Sequence, residues 1–451
     1  MKRIFIFLLV TSIWACSEQE PQIEKMHAQP FTVTATLAQN GKDVQLVWTR
    51  VKNSGNISYT IKYGDKEVSG ILDTVYTLTD LPYYSLIEGY VTATNPRGES
   101  LKADFNKIIT DPDPKDTDFL AYADPAFENL LVSNGIDKKA DGRLYLQDTK
   151  NITELNIPDG GLNINVISAF HDLEVLKTSR LNNTTLDLSE NLKLRELDLT
   201  GAVKLTEVVL PSSGKLQTLK IKGYASYPGN LRSIDLNTNK NLRYIDLSYN
   251  KLESIDLSAN GMLEFLNLTG NKINQIDLIN KKHLKTLYLA ENRISEADLS
   301  GAPALKDLAL SSNWISEISL PVNSTLESLN LDQNPVKTLK NLPPTLQNLS
   351  ISYTKLFDFD FSTIPSIEVL DVQGLKLEKI DLSKHTRLFS LNISNNALTQ
   401  LTLCQNSNLK GVLRCENNKL TEVWLASEVK SGQLWGADSG VDFRNCEKSG
   451  F

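Results

Sequence analysis

The sequence predicts a right-handed parallel β-solenoid of about thirteen turns, preceded by an all-β sandwich. The main observation is a set of five asparagines that follow one another at intervals of 21 residues. Each of them ends the same leucine frame, as in Leu263-x-x-Leu266-x-Leu268-x-x-Asn271. A fixed period near 20 residues is typical of stacked structural repeats. The five residues are Asn250, Asn271, Asn292, Asn313 and Asn334.

The leucine frame extends well beyond these five turns, in steps of 20 to 22 residues with one step of 26. Each turn can place one short strand on a shared parallel sheet. The leucines then point inward, and burial of each large apolar side chain contributes roughly 1.5 to 3 kcal/mol. The asparagine amides are expected to bond backbone groups that would otherwise be buried and unpaired. The first core residues of the turns are Leu155, Leu176, Leu197, Leu219, Ile245, Leu266, Leu287, Leu308, Leu329, Leu349, Leu370, Leu391 and Leu413.

The second half of each turn carries a recurrent aspartate, as in Leu252-Glu253-Ser254-Ile255-Asp256-Leu257. Asp256, Asp277 and Asp298 are 21 residues apart. Stacked carboxylates repel one another unless solvent screens them. We therefore expect them to accept backbone hydrogen bonds in turns or to face water rather than to hold a metal.

The repeats resemble the leucine-rich repeat superfamily over about residues 120 to 425. The segment from Leu382 to Leu398, LSKHTRLFSLNISNNAL, is similar to the internalin-J-like subtype. Members of that subtype often carry Cys two positions after the first strand leucine, and Cys415 stands there after Leu413. The resemblance implies the fold but no particular ligand, because repeat folds host many partners.

Residues 29–108 predict a β-sandwich. Apolar residues alternate with polar ones in Phe31-x-Val33-x-Ala35-x-Leu37 and in Val44-x-Leu46-x-Trp48, as in half-buried strands. Trp48, together with Tyr90 and the following V-x-A-x-N-x-x-G-x-S segment, resembles a fibronectin type III domain of the immunoglobulin-like class. The segment has no catalytic constellation, so we expect Trp48 in the core and a spacer role for the domain.

The remaining boundaries follow from local composition. Residues 109–118 form a polar, proline-stiffened linker. Residues 119–150 would cap the solenoid with a short helix from Pro125 to Ser133, which Asp124 can cap. The repeats occupy 151–426, and 427–451 would form the C-terminal cap together with Val423-Trp424-Leu425. A disulfide between Cys404 and Cys446 could tie that end to the last turns.

An acidic turn follows the predicted helix. Asp137-x-Lys139-x-Asp141-Gly142 partly resembles a calcium loop, whose acids occupy the first, third and fifth positions. Lys139 has the wrong charge for such a site, and Asp148 replaces the usual glutamate. The alternative is a plain glycine turn that binds no calcium, and we expect no metal in this chain.

The N-terminus predicts export. Residues 1–15 have a basic start, a short apolar run and a small residue before Cys16, as in a secretory signal. Ile13-Trp14-Ala15-Cys16 resembles a bacterial lipobox, which implies a lipid on Cys16. The acidic residues at the start of the tether, 16–28, resemble the surface-export signal of Bacteroidetes lipoproteins. We therefore expect attachment to the outer membrane, facing outward.

Composition and motifs exclude several functions. The formal net charge of −7 makes the chain a poor partner for nucleic acid. The four histidines are scattered, and neither phosphate loops nor nucleophile elbows are found. We therefore expect no enzymatic activity and no cofactor.

Strand residues that flank the inward leucines would point to a concave face. Aromatic residues in such outward positions give large contact areas for protein partners, although ordinary cross-strand packing would also account for them. The 26-residue turn would place Tyr224 and Tyr227 nearby. The predicted concave-face residues are Tyr244, Asp246, Phe265, Asn267, Tyr288, Asp307, Asn330 and Asp332.

These features favour a non-enzymatic, lipid-anchored surface protein that binds a protein or glycoprotein, as an internalin-like adhesin does. The alternatives are a glycan-capture lipoprotein of a polysaccharide-uptake system and a structural envelope protein.

Overall fold

The computed structural model describes residues 31–51, 56–111, 113, 118–158, 160–429 and 435–446. It divides the chain into two compact units between Asp118 and Phe119. The predicted signal segment, the lipidation site Cys16 and the tether lie outside the described residues. No helix among the described residues is long and apolar enough to cross a membrane.

The first unit consists of two antiparallel sheets and a short pair of strands. Alternating burial along the strands forms its core, in which the indole ring of Trp48 lies 5.3 Å from the ring of Tyr59. The strands of the three-stranded sheet are, in spatial order, Val33–Leu37, Val44–Trp48 and Val75–Leu78. Those of the four-stranded sheet are Lys66–Ile71, Ser58–Tyr63, Gly89–Thr94 and Ser100–Asp104. The short pair consists of Leu86–Ile87 and Ile108–Ile109.

The second unit begins with a strand, an α-helix and a second strand. Strands Phe119–Ala121 and Arg143–Tyr145 are antiparallel neighbours, and the helix Pro125–Ser133 lies between them in sequence. The Asp124 side chain accepts a hydrogen bond from Ala126 N and caps the helix. Phe127 and Leu131 are fully buried in the same apolar cluster as the leucines of the repeats. A 3-10 helix, Leu146–Thr149, leads into the first turn.

The repeats build one parallel sheet of 14 strands, one more than the sequence predicts. The additional strand, Trp435–Gly436, lies in the segment that was expected to be only a cap. The thirteen predicted core residues pair with one another in a single register, from Leu155 to Leu413. The strands are Glu154–Ile157, Val175–Thr178, Glu196–Asp198, Thr218–Lys220, Tyr244–Asp246, Phe265–Asn267, Thr286–Tyr288, Asp307–Ala309, Ser328–Asn330, Asn348–Ser350, Val369–Asp371, Ser390–Asn392, Leu413–Arg414 and Trp435–Gly436.

The second half of the turns forms smaller parallel sheets and 3-10 helices. Thr185–Asp187 pairs with Glu207–Val209, and Glu317–Ser319 pairs with Thr338–Lys340. The last of these sheets contains, in spatial order, the strands Leu401–Leu403, Glu422–Leu425 and Asp442–Asn445. A disulfide joins Cys404 and Cys446, whose Cα atoms are 5.7 Å apart, whereas Cys415 is a buried free thiol. The 3-10 helices are Ile167–Ala169 and Phe361–Thr363.

The predicted asparagines form a ladder of hydrogen bonds between turns. Asn292 is buried, and its Nδ2 donates to the carbonyl oxygens of Leu268 and Leu289, each at 3.0 Å. Its Oδ1 accepts from Ile273 N at 2.9 Å. One side chain therefore satisfies backbone groups of its own turn and of the preceding one, and the same pattern recurs at Asn271, Asn313 and Asn334.

A second asparagine ladder, which was not predicted from the sequence, runs through the other half of the turns. Asn260 is fully buried, and its Nδ2 donates to the carbonyl oxygens of Leu236 and Asn239. The pattern D-L-x-x-N, with Asn239 and Asn260 21 residues apart, could have revealed it. Lys281 and His385 occupy the corresponding position in two other turns. The asparagines of this ladder are Asn191, Asn239, Asn260 and Asn406.

The recurrent aspartates bind backbone. Oδ1 of Asp256 accepts a hydrogen bond from Ser258 N at 2.9 Å, and that of Asp298 accepts one from Ser300 N at the same distance. These bonds to the ionised form lower the pKa of both carboxyl groups. The aspartates thus act as turn-forming side chains.

The acidic turn after the helix has internal partners. Asp137 is buried, and its carboxylate accepts hydrogen bonds from the Tyr122 hydroxyl at 2.7 Å and from Lys139 N at 3.1 Å. Asp148 pairs with Lys138 at 3.5 Å. The acids of the calcium-loop motif are therefore engaged within the fold, and Gly142 adopts the left-handed conformation of a tight turn.

Candidate functional site

We define the open face as the side of the 14-stranded sheet that carries the outward strand residues. Three aromatic rings cross it diagonally over successive strands. The rings of Tyr244 and Phe265 are parallel and stacked, with centroids 4.2 Å apart. Tyr288, one strand further, meets Phe265 edge to face at 5.8 Å. All three side chains are half-buried, so the structure brings the three predicted aromatic residues together into one continuous band.

The band is fixed at both ends by charged groups. The Lys220 ammonium lies over the Tyr244 ring, 5.5 Å from its centroid. At the other end, the Tyr288 hydroxyl donates a hydrogen bond to the Asp307 carboxylate. Burial and this hydrogen bond raise the pKa of Tyr288 to about 12. The rings therefore form a rigid apolar ridge whose tyrosine hydroxyl at position 288 stays protonated at neutral pH.

Three of the predicted polar contacts also have hydrogen-bond partners within the fold. Asp246 is buried, and its Oδ1 accepts hydrogen bonds from both Ser248 N and Ser248 Oγ. Asn267 and Asn330 accept in the same way from the backbone two residues later. Such bonds stabilise the bend where each strand ends. Sequence reasoning treated these positions as ligand contacts because outward strand residues and turn-forming residues have the same periodicity.

Asp332 is likewise held by its neighbours. Ser350 Oγ lies 2.7 Å from both oxygens of its carboxylate and donates its one hydrogen to them, and Ser352 N donates a second hydrogen bond. Burial raises the pKa of this carboxyl group despite these bonds. The C-terminal part of the open face is thus a self-bonded polar network, and the aromatic band is its chief apolar feature.

The 26-residue step produces an ordered hairpin, which we call the tyrosine hairpin (residues 223–229). Tyr224 and Tyr227 form a two-residue antiparallel bridge, with N to O distances of 3.1 and 3.0 Å. At its base, Gly223 N donates to Ser248 O and Gly229 N donates to Tyr249 O. The Tyr227 side chain is 72% exposed and that of Tyr224 is 44% exposed, so the hairpin presents both to solvent.

The open face also carries charged pairs that the sequence analysis did not select. Lys220 pairs with Asp198 at 3.1 Å, and Lys222 pairs with Asp246 at 3.6 Å. One strand earlier, Lys177 pairs with Glu196 at 3.0 Å. The alternation of charge along successive outward positions could have identified them. The open face therefore changes from charged to aromatic along the sheet.

Within the part of the chain that the structure describes, no group of three or more His, Cys, Asp or Glu side chains could hold a metal ion. The open face thus consists of an apolar aromatic band with paired charges on one side. Rigid, solvent-facing surfaces of this kind are characteristic of repeat solenoids.

Comparison with known proteins agrees with this description. A family model described as "Leucine Rich repeat" matches residues 238–259, which include the strand of Tyr244. No match is found among curated proteins. The match over residues 238–259 and the likeness to solved structures together show a leucine-rich repeat fold.

Its structural neighbours include the functional domain of InlJ from Listeria monocytogenes, which is described as including a cysteine ladder. The two share 22% sequence identity with a TM-score of 0.52, over 67% of this chain and 75% of InlJ. The effector YopM from Yersinia pestis is 22% identical over 61% of this chain and 78% of its own, with a TM-score of 0.49. The match to InlJ shows the fold.

Proposed function

We propose that the protein is a lipid-anchored cell-surface binding protein, an adhesin, that uses the open face of its solenoid to bind a protein or glycoprotein. The observation that carries this proposal is the aromatic band Tyr244–Phe265–Tyr288. Half-exposed aromatic side chains in a rigid frame lose little conformational entropy on binding, and they are frequent anchors of protein interfaces.

The arrangement of the rings favours a protein surface over a sugar as the ligand of the band. The Tyr244 ring has Phe265 stacked on one side and the Lys220 ammonium over it. Sugar rings pack on exposed aromatic faces, whereas side chains of a protein partner can pack against the edges of such a ridge. The tyrosine hairpin extends the same aromatic character beside the sheet.

The N-terminal unit supports the role of a spacer. Its two antiparallel sheets and its apolar core support a sandwich-like domain that acts as a spacer. In this proposal the lipid is carried by Cys16, and the sandwich separates the solenoid from the outer membrane. The proposal places the solenoid outside the cell, where a macromolecular ligand can reach it.

The location is tested by protease shaving of intact cells, followed by detection of solenoid peptides. We expect rapid loss of the solenoid from intact cells. The Cys16→Ser variant, which cannot carry the lipid, should no longer be held at the membrane. Protection until the outer membrane is opened would rule out the adhesin.

Ligand binding is tested with immobilised mucins and arrays of extracellular proteins. Phe265→Ala and Tyr288→Ala are expected to weaken binding at least tenfold, whereas Trp314→Ala removes an exposed aromatic side chain away from the strands and serves as the matched control. Equal binding by all three variants would show that the ligand does not use the band.

A further inference from the structure

The last small sheet carries an aromatic site away from the open face. Its three parallel strands, Leu401–Leu403, Glu422–Leu425 and Asp442–Asn445, place Thr402, Trp424 and Arg444 in one register. Val423 and Leu425 point into the core, while Trp424 points outward and is partly exposed. Within the segment expected to help close the solenoid, Val423 and Leu425 are thus the buried residues and Trp424 is the outward one.

The Trp424 ring is held in a fixed orientation. Its Nε1 donates a hydrogen bond to Glu422 Oε1 at 2.8 Å. The Arg444 guanidinium lies over the ring, 5.5 Å from its centroid, and is itself paired with Glu422 at 3.3 Å and with Asp442 at 2.9 Å. Arg444 lies on the strand on one side of Trp424, and Thr402 lies on the strand on the other side.

That opposite side is a cavity of about 390 Å³. Trp424 forms one wall, and polar side chains surround the space: Ser383, Gln400, Thr402, Gln405 and Glu422. Small-molecule sites in proteins commonly combine an apolar surface with a few converging polar groups in volumes from about 300 Å³ upward. The Cys404–Cys446 disulfide ties the first and third strands of this sheet together and so supports the site.

We propose that this cavity binds a neutral pyranose unit of a glycan. A pyranose has an apolar face of C–H groups, which suits the electron-rich face of an indole. Its hydroxyls both donate and accept hydrogen bonds, as do the side-chain amides and hydroxyls around the cavity. On the open face, by contrast, the rings of Tyr244 and Phe265 are stacked on one another.

The composition of the cavity argues against two other ligand classes. An anion would meet the Glu422 carboxylate without a lysine in the wall, because Arg444 lies on the other side of the indole and is already paired. A quaternary ammonium is bound by several aromatic faces, whereas this cavity offers one. A neutral polar ring with one apolar face matches the lining best.

The test is calorimetric titration of the full-length protein with neutral oligosaccharides of glucose, galactose, mannose and N-acetylglucosamine, in a detergent without a sugar headgroup. We expect at least one series to bind, Trp424→Ala to weaken it at least tenfold, and Trp424→Phe to retain part of the affinity. Trp314→Ala and Tyr288→Ala are matched aromatic controls that should bind like the parent protein.

The outcomes separate this site from the open face. Loss of glycan binding in Tyr288→Ala but not in Trp424→Ala would overturn the proposal, as would the absence of binding in every series. If Trp424→Ala lowers the melting temperature strongly, Gln400→Ala and Gln405→Ala replace it, and unchanged affinity in both would also overturn the proposal. Binding of proteins to the open face should not respond to any of these cavity variants.

Discussion

At the residue scale, the fold depends on side-chain amides that replace missing backbone partners. A strand of three residues leaves many backbone groups unpaired when the chain bends into the next half-turn. Asn292 bonds groups of two turns at once because an amide carries both donors and an acceptor. Asparagine is therefore more suitable here than serine, which has one donor instead of two, or ionised aspartate, which has none.

Replacing Asn292 by Ala should lower the free energy of unfolding by at least about 3 kcal/mol. Three buried backbone groups, Leu268 O, Leu289 O and Ile273 N, lose a partner, and each such loss costs about 1 to 3 kcal/mol. Chemical denaturation measures the effect, and Glu296→Ala, an exposed change in the same turn, is the control. An Asn292→Ala protein as stable as the control would show that the ladder is dispensable.

Lys281 is an exception within the second ladder. It is almost fully buried, and its Nζ donates to Ile279 O at 2.8 Å. Desolvation lowers the pKa of this amine below its ordinary value of 10.5, although Asp277 and Asp256 partly offset the effect. An asparagine at this position would reach the carbonyls of the preceding turn, as Asn260 does.

Lys281→Asn should therefore stabilise the protein by about 1 kcal/mol at neutral pH. Between the lowered pKa of the folded state and 10.5, the unfolded chain binds more protons at this site, so the stability of the parent protein rises with pH there. The advantage of the variant is thus largest below that window and shrinks as pH rises through it. Denaturation curves at several pH values measure it, with the exposed Lys282→Asn as control; a pH-independent difference would contradict the explanation.

At the element scale, the tyrosine hairpin is stiff because its base has no room for side chains. A Cβ on Gly223 would lie 2.4 Å from Tyr249 O and 2.5 Å from Gly229 N. Both are backbone atoms that already take part in the hydrogen bonds at the base of the hairpin. The hairpin can thus present Tyr224 and Tyr227 in one fixed position.

Gly223→Ala should loosen the hairpin without unfolding the solenoid. The expected result is faster hydrogen exchange at the amides of Tyr224 and Tyr227, and weaker ligand binding if the hairpin contributes to the open face. Gly261→Ala is the matched control, because its Cβ would meet its nearest neighbour at 3.7 Å, an ordinary contact. Unchanged exchange at both tyrosines in Gly223→Ala would show that the base tolerates a side chain.

Most secondary-structure elements could be predicted from the sequence, because the spacing of apolar residues indicates which side chains are buried. The register of the core leucines, the helix Pro125–Ser133 and the alternation around Trp48 all follow from such patterns. The site was predicted less well. Periodicity shows that Asp246 faces outward from the strand, but not that Ser248 and Lys222 bind it. The exposure of Trp424 could not be predicted either, because an alternating strand does not reveal which of its faces is covered.

At the scale of the whole molecule, the solenoid is a linear array in which each turn contacts only its neighbours. The stability of one end can therefore change while distant turns remain folded. The last turns include the short strands Leu413–Arg414 and Trp435–Gly436, which pair through only two residues each. The Cys404–Cys446 disulfide compensates for this weak end by joining strands 42 residues apart in sequence.

Reduction of this disulfide should destabilise only the C-terminal end. The chain-entropy model assigns about 4 kcal/mol to a loop of this length. Hydrogen exchange should accelerate between residues 401 and 446 and stay slow between 250 and 334, where the first asparagine ladder is unbroken. Cys415→Ser is the control for thiol chemistry, because that cysteine is buried and free. Uniform acceleration along all fourteen strands would instead mean that the solenoid unfolds as one cooperative unit and that its ends are not separable from its centre.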